Sequence, residues 1–235
     1  MGVGVETMKM ARIANMDATE ATKAMTAALR GFNMEVNEMN AQVVNDVYSE
    51  LAAITAADTS QIATAMEKTA SIASSANMEF GNTAAILAQI IETTQEAPET
   101  AGTALKTIIA RFSEVKELRD KGLSTGEDDE GEIIDVNKIQ GALRTVGISM
   151  EGFFAGTEGL DDILFELASK WKNLDFETQR YIATTAAGSR QQSRFIAMMT
   201  DYDRTIELAT AANNSAGASQ EQFGKTLDSV EAKAA

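Results

Sequence analysis

The densest group of hydrogen-bonding side chains in this sequence is the run Gly188-Ser189-Arg190-Gln191-Gln192-Ser193-Arg194. Arg190 and Arg194 are four residues apart and would face the same way on a helix. Paired guanidinium groups of this kind can bind a carboxylate of a partner. The run is therefore a candidate for an interaction site or a structural corner, with Gly188, Ser189, Arg190, Gln191 and Arg194 as its candidate residues.

The chemistry open to these residues is limited by what the chain lacks. It contains no cysteine and no histidine, which excludes disulfides, thiolate metal sites and imidazole general bases. Catalysis would have to use carboxylates, lysine or tyrosine, and no carboxylate pair adjoins the run in sequence. We therefore expect neither an enzyme nor a bound cofactor or metal.

Four arginines are concentrated around the same run: Arg180, Arg190, Arg194 and Arg204. One interpretation is a docking surface for a carboxylate-bearing partner. The other is internal pairing with nearby acids, or hydrogen bonding between helices. We favour internal pairing, because charge clusters on helices are usually structural or solvated. Its candidate acids are Glu177, Asp201, Asp203 and Glu207.

The acidic segment from Gly122 to Ile134 could in principle hold a hard cation such as calcium. An EF-hand loop needs glycine at its sixth position and an acid at its first. Counting back from Gly131 places Gly126 first, so the pattern fails. The segment is predicted to be a flexible, solvated loop, with Glu127, Asp128, Asp129, Glu130 and Glu132 as its acids.

Other acids could in principle form the pair that glycoside hydrolysis requires, in which two carboxyl groups face each other across a cleft with separated pKa values. An acidic helical protein offers such pairs by chance, so the pattern carries almost no signal. The candidates are Glu92, Glu96, Glu151, Glu158, Asp161 and Asp162.

The composition is that of a helical protein. The 235 residues carry a net charge of −15 and include a single proline. A charge of this sign opposes binding to duplex nucleic acid, and we predict no such site. We find no secretory signal pattern, and no stretch approaches the ~20 apolar residues that a membrane-spanning helix needs.

Apolar residues recur with a period of 3.6 along almost the whole chain. Asp17 and Glu20 have the spacing of a capping box, and Asp58 marks the point where one helix ends and the next begins. Pro98 begins a helix, and Asp175 caps the helix that leads to Gly188. The fold class is therefore all-α. We predict nine or ten short to medium amphipathic helices that fold onto one another, with Ser189 capping the helix after the corner. Residues 148–159 look irregular, and we predict a small extended turn there.

The chain is predicted to divide into an N-terminal helical half at 1–121, the acidic loop at 122–134, and a C-terminal helical half at 135–235, which together form one domain. The last helix has no stop signal, which indicates a piece of a longer protein cut within a helix; the alternative is an exposed helical tail. Four methionines, Met25, Met39, Met66 and Met199, fall on predicted core positions. Four others near the start, Met1, Met8, Met10 and Met16, could form an exposed apolar face.

Two long strings resemble the core region of tail tape measure proteins from long-tailed phages and prophages. They are Thr178-Gln179-Arg180-Tyr181-Ile182-Ala183-Thr184-Thr185-Ala186-Ala187-Gly188-Ser189-Arg190-Gln191-Gln192-Ser193-Arg194-Phe195 and residues 91–112, which end in Ile108-Ile109-Ala110-Arg111-Phe112. The segments Leu167–Trp171 and Ser215–Phe223 fit as well. The resemblance extends over roughly residues 15–235.

This resemblance implies a structural protein of the virion tail. Family members set tail length during assembly, occupy the lumen of the tail tube, and leave ahead of the DNA at ejection. The implied partners are tube subunits, tail-tip or baseplate proteins, tail assembly chaperones and copies of the protein itself, and the implied location is the phage tail after synthesis in the host cytoplasm. Whole members are far longer and carry helical rods and hydrophobic segments that this chain lacks. We therefore expect a folded docking or organising module instead of the measuring rod.

Two alternatives from other functional classes stay open at this point. One is a cell-wall hydrolase module, which would release muropeptides from peptidoglycan. The other is a membrane-active element for DNA entry, for which the methionine-rich start could act at an interface.

Overall fold

The computed structural model describes residues 2–128 and 131–234, which form helices and one small antiparallel hairpin. The elements in chain order are α1 (Gly2–Ile13), α2 (Ala18–Gly31), α3 (Glu38–Ile54), α4 (Thr59–Ser75), α5 (Phe80–Thr94), α6 (Pro98–Asp120), β1 (Thr125–Glu127), β2 (Ile133–Asp135), α7 (Val136–Thr145), α8 (Glu151–Ala155), α9 (Leu160–Trp171), α10 (Phe176–Thr200), α11 (Tyr202–Asn213) and α12 (Ala218–Ala234). The all-α class predicted from the sequence is confirmed.

The helix starts follow the local signals in the sequence. Asp17 and Glu20 form a reciprocal capping box at the start of α2, and Asp58 forms one with Gln61 at the start of α4. Pro98 occupies the first turn of α6, where its missing N–H costs no hydrogen bond. Asp175 accepts a hydrogen bond from the backbone N–H of Thr178 and begins α10.

The described residues contain twelve helices, two more than the upper end of the predicted range. Helix α1 was missed because Gly2 and Gly4 weaken its pattern and no capping side chain precedes it. Helix α11 follows α10 directly, and Asp201 separates the two by accepting a hydrogen bond from Arg204 N–H.

The extended structure lies in a different place from the one predicted. Residues 148–159 contain the short helix α8 and a left-handed Gly156, and no strand. The strands instead occupy the acidic segment, where Gly126 pairs with Ile134 in an antiparallel register. Ile134 is fully buried while Ile133 is 70% exposed, a two-residue alternation too short to recognise in the sequence. Of the five acids assigned to the loop, Asp129 and Glu130 lie outside the described residues.

One hydrophobic core joins the helices on both sides of the hairpin. Its largest fully buried side chains include Tyr48, Phe112, Trp171 and Phe195. The division into halves at 122–134 stays a prediction, and both predicted halves contribute to this core. Met25, Met66 and Met199 are buried as predicted. The prediction of a core position for Met39 is wrong, since this side chain lies on the outer face of α3 and is 70% exposed.

No helix in the described ranges is both long enough and apolar enough to cross a membrane.

Candidate functional site

The run from Gly188 to Arg194 forms a break within α10. Gly188 has φ 77° and ψ 167°, a conformation that interrupts the helix and redirects the chain. Ser189 then begins the second part of α10, and its backbone N–H donates to Glu132 Oε2 at 2.8 Å. The helix is therefore interrupted within this run.

The cap of the second part of α10 differs from the predicted one. Ser189 was expected to accept hydrogen bonds from the following turn, but its hydroxyl donates to Glu132. The carboxylate of Glu132, 57 positions away in sequence, accepts the orphan N–H at this helix start instead. A negative charge at a helix N-terminus also interacts favourably with the helix dipole.

Arg111 of α6 connects the hairpin to the corner. It is 2% exposed and forms an ion pair with Asp128. Its guanidinium also lies 3.9 Å from the Glu132 carboxylate and 3.4 Å from the backbone oxygen of Thr185, in the last turns before Gly188. One buried cation thus holds the hairpin and the break in α10 together. We call Arg111, Asp128, Glu132 and Ser189 the corner clamp.

Arg111 is not among the residues predicted for the corner, although the sequence contains a signal for it. Arg111 lies within the apolar run of α6, between Ile109 and Phe112, both fully buried. A charged residue at such a position needs a buried partner of opposite charge. The acidic segment that follows α6 supplies these partners, since Asp128 lies 17 residues after Arg111.

Two of the four arginines near the corner pair with acids in the last turn of α5 and in the segment that joins α5 to α6. Arg194 forms a bidentate ion pair with Glu96, with Nε–Oε2 and Nη2–Oε1 distances of 2.6 and 2.7 Å. Arg204 forms a bidentate ion pair with Glu92, with Nε–Oε2 and Nη2–Oε1 distances of 3.2 and 3.1 Å. Its Nη1 also lies 2.9 Å from Glu207 Oε2. Internal pairing was therefore the right kind of interaction. Of the acids proposed for it, Glu207 is a partner, but the main partners are Glu92 and Glu96.

The remaining candidate residues lie around this pair. Gln191 is buried and accepts a hydrogen bond from Arg194 at 3.2 Å, and the backbone oxygen of Arg190 accepts another at 3.3 Å. Arg180 is exposed, more than two turns before the break. The structure therefore brings Gly188 and Ser189 to the corner clamp, while Arg194, with Gln191 beside it, binds Glu96 in the segment between α5 and α6. That these residues form an interaction site stays a prediction.

Five of the six acids considered for hydrolysis, all except Glu158, form side-chain hydrogen bonds or ion pairs within the described part of the fold. Glu92 and Glu96 are paired with arginines, and Glu151 lies 3.0 Å from Arg119. Asp162 accepts from the backbone N–H of Gly159 at 2.9 Å and so caps α9. Among the described residues, no group of three or more acids could hold a metal ion.

Asp161 is the one buried member of this set, at 1% exposed. Its Oδ2 accepts from the backbone N–H of Glu79 at 3.1 Å and from Asn82 Nδ2 at 2.8 Å, which caps the start of α5. Burial raises the pKa of the Asp161 carboxyl above its ordinary value. Folding therefore makes this carboxyl easier to protonate than it is in the unfolded chain.

This raised pKa predicts a pH-dependent difference between the native chain and Asp161→Asn. A carboxyl whose pKa is higher when folded contributes stability below its unfolded pKa, and the contribution is lost as pH rises through the folded pKa. The asparagine variant should therefore gain stability relative to the native chain as pH rises from the unfolded value of 3.8 toward neutrality. Urea unfolding at a series of pH values measures this difference.

Glu96→Gln is the matched control for that series. The hydrogen bond from Arg194 lowers the pKa of Glu96. Its contribution to stability is present above the unfolded pKa and is lost as pH falls through the folded one. As pH rises, the stability of Asp161→Asn relative to the native chain should therefore increase, and that of Glu96→Gln should decrease. A constant offset for Asp161→Asn would contradict the assignment of a raised pKa.

Comparison with known proteins relates the sequence of this chain to phage tail proteins. The family described as phage-related minor tail protein matches residues 1–188. The tape measure protein of Pneumococcus phage Dp-1 is 29% identical over 151 residues, which is 61% of this chain and 13% of that protein. The aligned part thus covers a small share of that relative's length. No solved structure matches the chain.

Proposed function

We propose that this chain, which belongs to the phage-related minor tail protein family, is a folded module through which a tail tape measure protein is organised during assembly. Its role in the tail is structural. In this proposal the whole protein sets tail length, lies in the tube lumen, and leaves during DNA ejection. The partners would be tube subunits, tail-tip or baseplate proteins and assembly chaperones.

The observation that carries this proposal is that the helices fold back on one another through side-chain pairs distant in sequence. The longest unbroken helix, α6, has 23 residues and is about 35 Å long at 1.5 Å per residue. A fully helical rod of the whole chain would be about 350 Å long. The corner clamp and the Glu92–Arg204 and Glu96–Arg194 pairs oppose such an extension, because each would have to break.

The corner itself has a structural role in this proposal. Arg194 is already bound to Glu96, so a partner carboxylate would have to displace an internal one. Ser189 is similarly bound to Glu132. We therefore propose that the corner sets the direction of the second part of α10, and that docking uses other surfaces.

Removal of this segment from the full-length tail protein tests the proposal. If the segment measures length as an extended helix, its in-frame removal shortens every tail by about 350 Å. A folded organising module predicts instead that few or no tails assemble. Electron microscopy of lysates gives both the number and the length of the tails.

The matched control is Lys106→Met, a change at an exposed position of α6, which should leave both measurements unchanged. Two results would contradict the proposal. One is a normal number of tails that are shorter by the helical increment. The other is a normal number of tails of unchanged length.

A further inference from the structure

An exposed apolar surface lies on α1 and the segment that begins α3. Val5, Met8, Val36 and Met39 are 61%, 59%, 56% and 70% exposed. Met8 borders two grooves, one of about 680 Å³ shared with Phe223 of α12 and one of about 420 Å³ shared with Leu29 and Val36. Contiguous apolar surface bordered by polar groups indicates an interaction site. We call the surface formed by Val5, Met8 and Val36 the α1 face.

The two ends of the α1 face carry opposite charges. Arg12 lies in the last turn of α1 and borders the larger groove. Glu38 lies at the other end, where its Cβ is 2.5 Å from the position that a Cβ on Gly2 would occupy. Ten residues of helix separate Gly2 from Arg12, which is about 15 Å. Both charged residues are exposed, and neither has an ion-pair partner among the residues described.

The region around the α1 face differs in charge from the rest of the chain. The first 40 residues contain five acidic and four basic residues, a net charge of −1, so the other 195 carry −14 of the total −15. Two copies of so acidic a chain repel each other over most of their surface. Repulsion is weakest where the α1 faces meet.

We propose that the α1 face binds the same face of a second copy of this chain in a two-fold symmetric pairing. A two-fold interface joins identical patches, so its charges must be complementary to themselves. A face with Arg12 at one end and Glu38 at the other meets this condition. Antiparallel pairing of α1 with its symmetry mate brings each arginine opposite the glutamate of the partner subunit and places Val5 and Met8 at the centre.

Gly4 permits the close approach that this pairing needs. It borders both grooves, and a Cβ added there would meet nothing within 4 Å. The backbone of a second helix can therefore come close to α1 at this position. The dimer proposal depends on the α1 face alone. If the dimer is not found, the proposed tail function is unaffected, and if the tail function is contradicted, the dimer proposal is unaffected.

Charge exchange between the two ends tests the proposal. Arg12→Glu and Glu38→Arg should each raise the dimer dissociation constant at least about tenfold, because each places like charges opposite one another. The double variant restores opposite charges and should return to within about threefold of the native value. Sedimentation equilibrium over a range of protein concentrations measures all four constants.

A steric pair of variants separates dimerisation from folding. Gly4→Leu fills the approach path and should abolish the dimer, while Gly141→Leu, at an equally open glycine in α7, should not. Both replacements favour the helix, so neither should lower the melting temperature. The proposal is overturned if the native chain remains monomeric up to about 1 mM, a limit equal to roughly −4 kcal/mol. It is also overturned if the double charge variant fails to recover.

Discussion

Replacement of Arg111 by methionine is expected to lower the free energy of unfolding by about 3–5 kcal/mol, the range found when one partner of a buried ion pair is removed. The substitution keeps an unbranched side chain of similar length, so little packing is lost. It removes the Arg111 guanidinium from the side chain of Asp128, which is 4% exposed, and from its position 3.9 Å from the Glu132 carboxylate. The hairpin and the break in α10 would both lose the residue that connects them.

The measurement is urea unfolding of three variants followed by circular dichroism. Arg111→Met is compared with Lys106→Met on the same helix, where an exposed side chain should change stability by no more than about 0.5 kcal/mol. The double variant Arg111→Met, Asp128→Asn should recover part of the loss, because it removes the uncompensated charge. If Arg111→Met and Lys106→Met cost the same, Arg111 does not hold the corner.

The helices with local signals were predictable, and the elements without them were not. Asp17, Asp58 and Pro98 begin their helices at the predicted residues, because capping depends on neighbours within one turn. Helix α1 has no such signal and was missed. Hairpin strands of three residues each show too little alternation to be distinguished from a polar loop.

The partners of the corner could not be predicted for a related reason. Glu132 and Ser189 are 57 residues apart, and Glu96 and Arg194 are 98 apart. Sequence spacing identifies which groups need partners, but the tertiary path of the helices decides which acids arrive beside them. Acids close in sequence to the arginines were therefore natural but mostly incorrect choices, and the apolar setting of Arg111 was the stronger clue.

Replacement of Gly188 by alanine should lower the free energy of unfolding by about 3 kcal/mol, the sum of backbone strain and a lost charged hydrogen bond. The backbone at φ 77° and ψ 167° is a conformation that residues with a Cβ rarely adopt. The added Cβ would also lie 2.3 Å from Glu132 Oε2 and 3.3 Å from Arg111 Nη1. Glu132 would have to withdraw, and the N–H of Ser189 would lose its acceptor.

The two causes can be separated by repeating Gly188→Ala in a Glu132→Ala background. There the collision is absent and the hydrogen bond is already lost, so only backbone strain of about 1–3 kcal/mol remains. Gly141→Ala, in a regular helix with open space, should instead raise stability by about 0.5–1 kcal/mol. Equal costs of Gly188→Ala in both backgrounds would mean that the break in α10 depends on backbone conformation alone. A cost near zero in the native background would mean that α10 can continue through residue 188, and the corner would then not be fixed by this glycine.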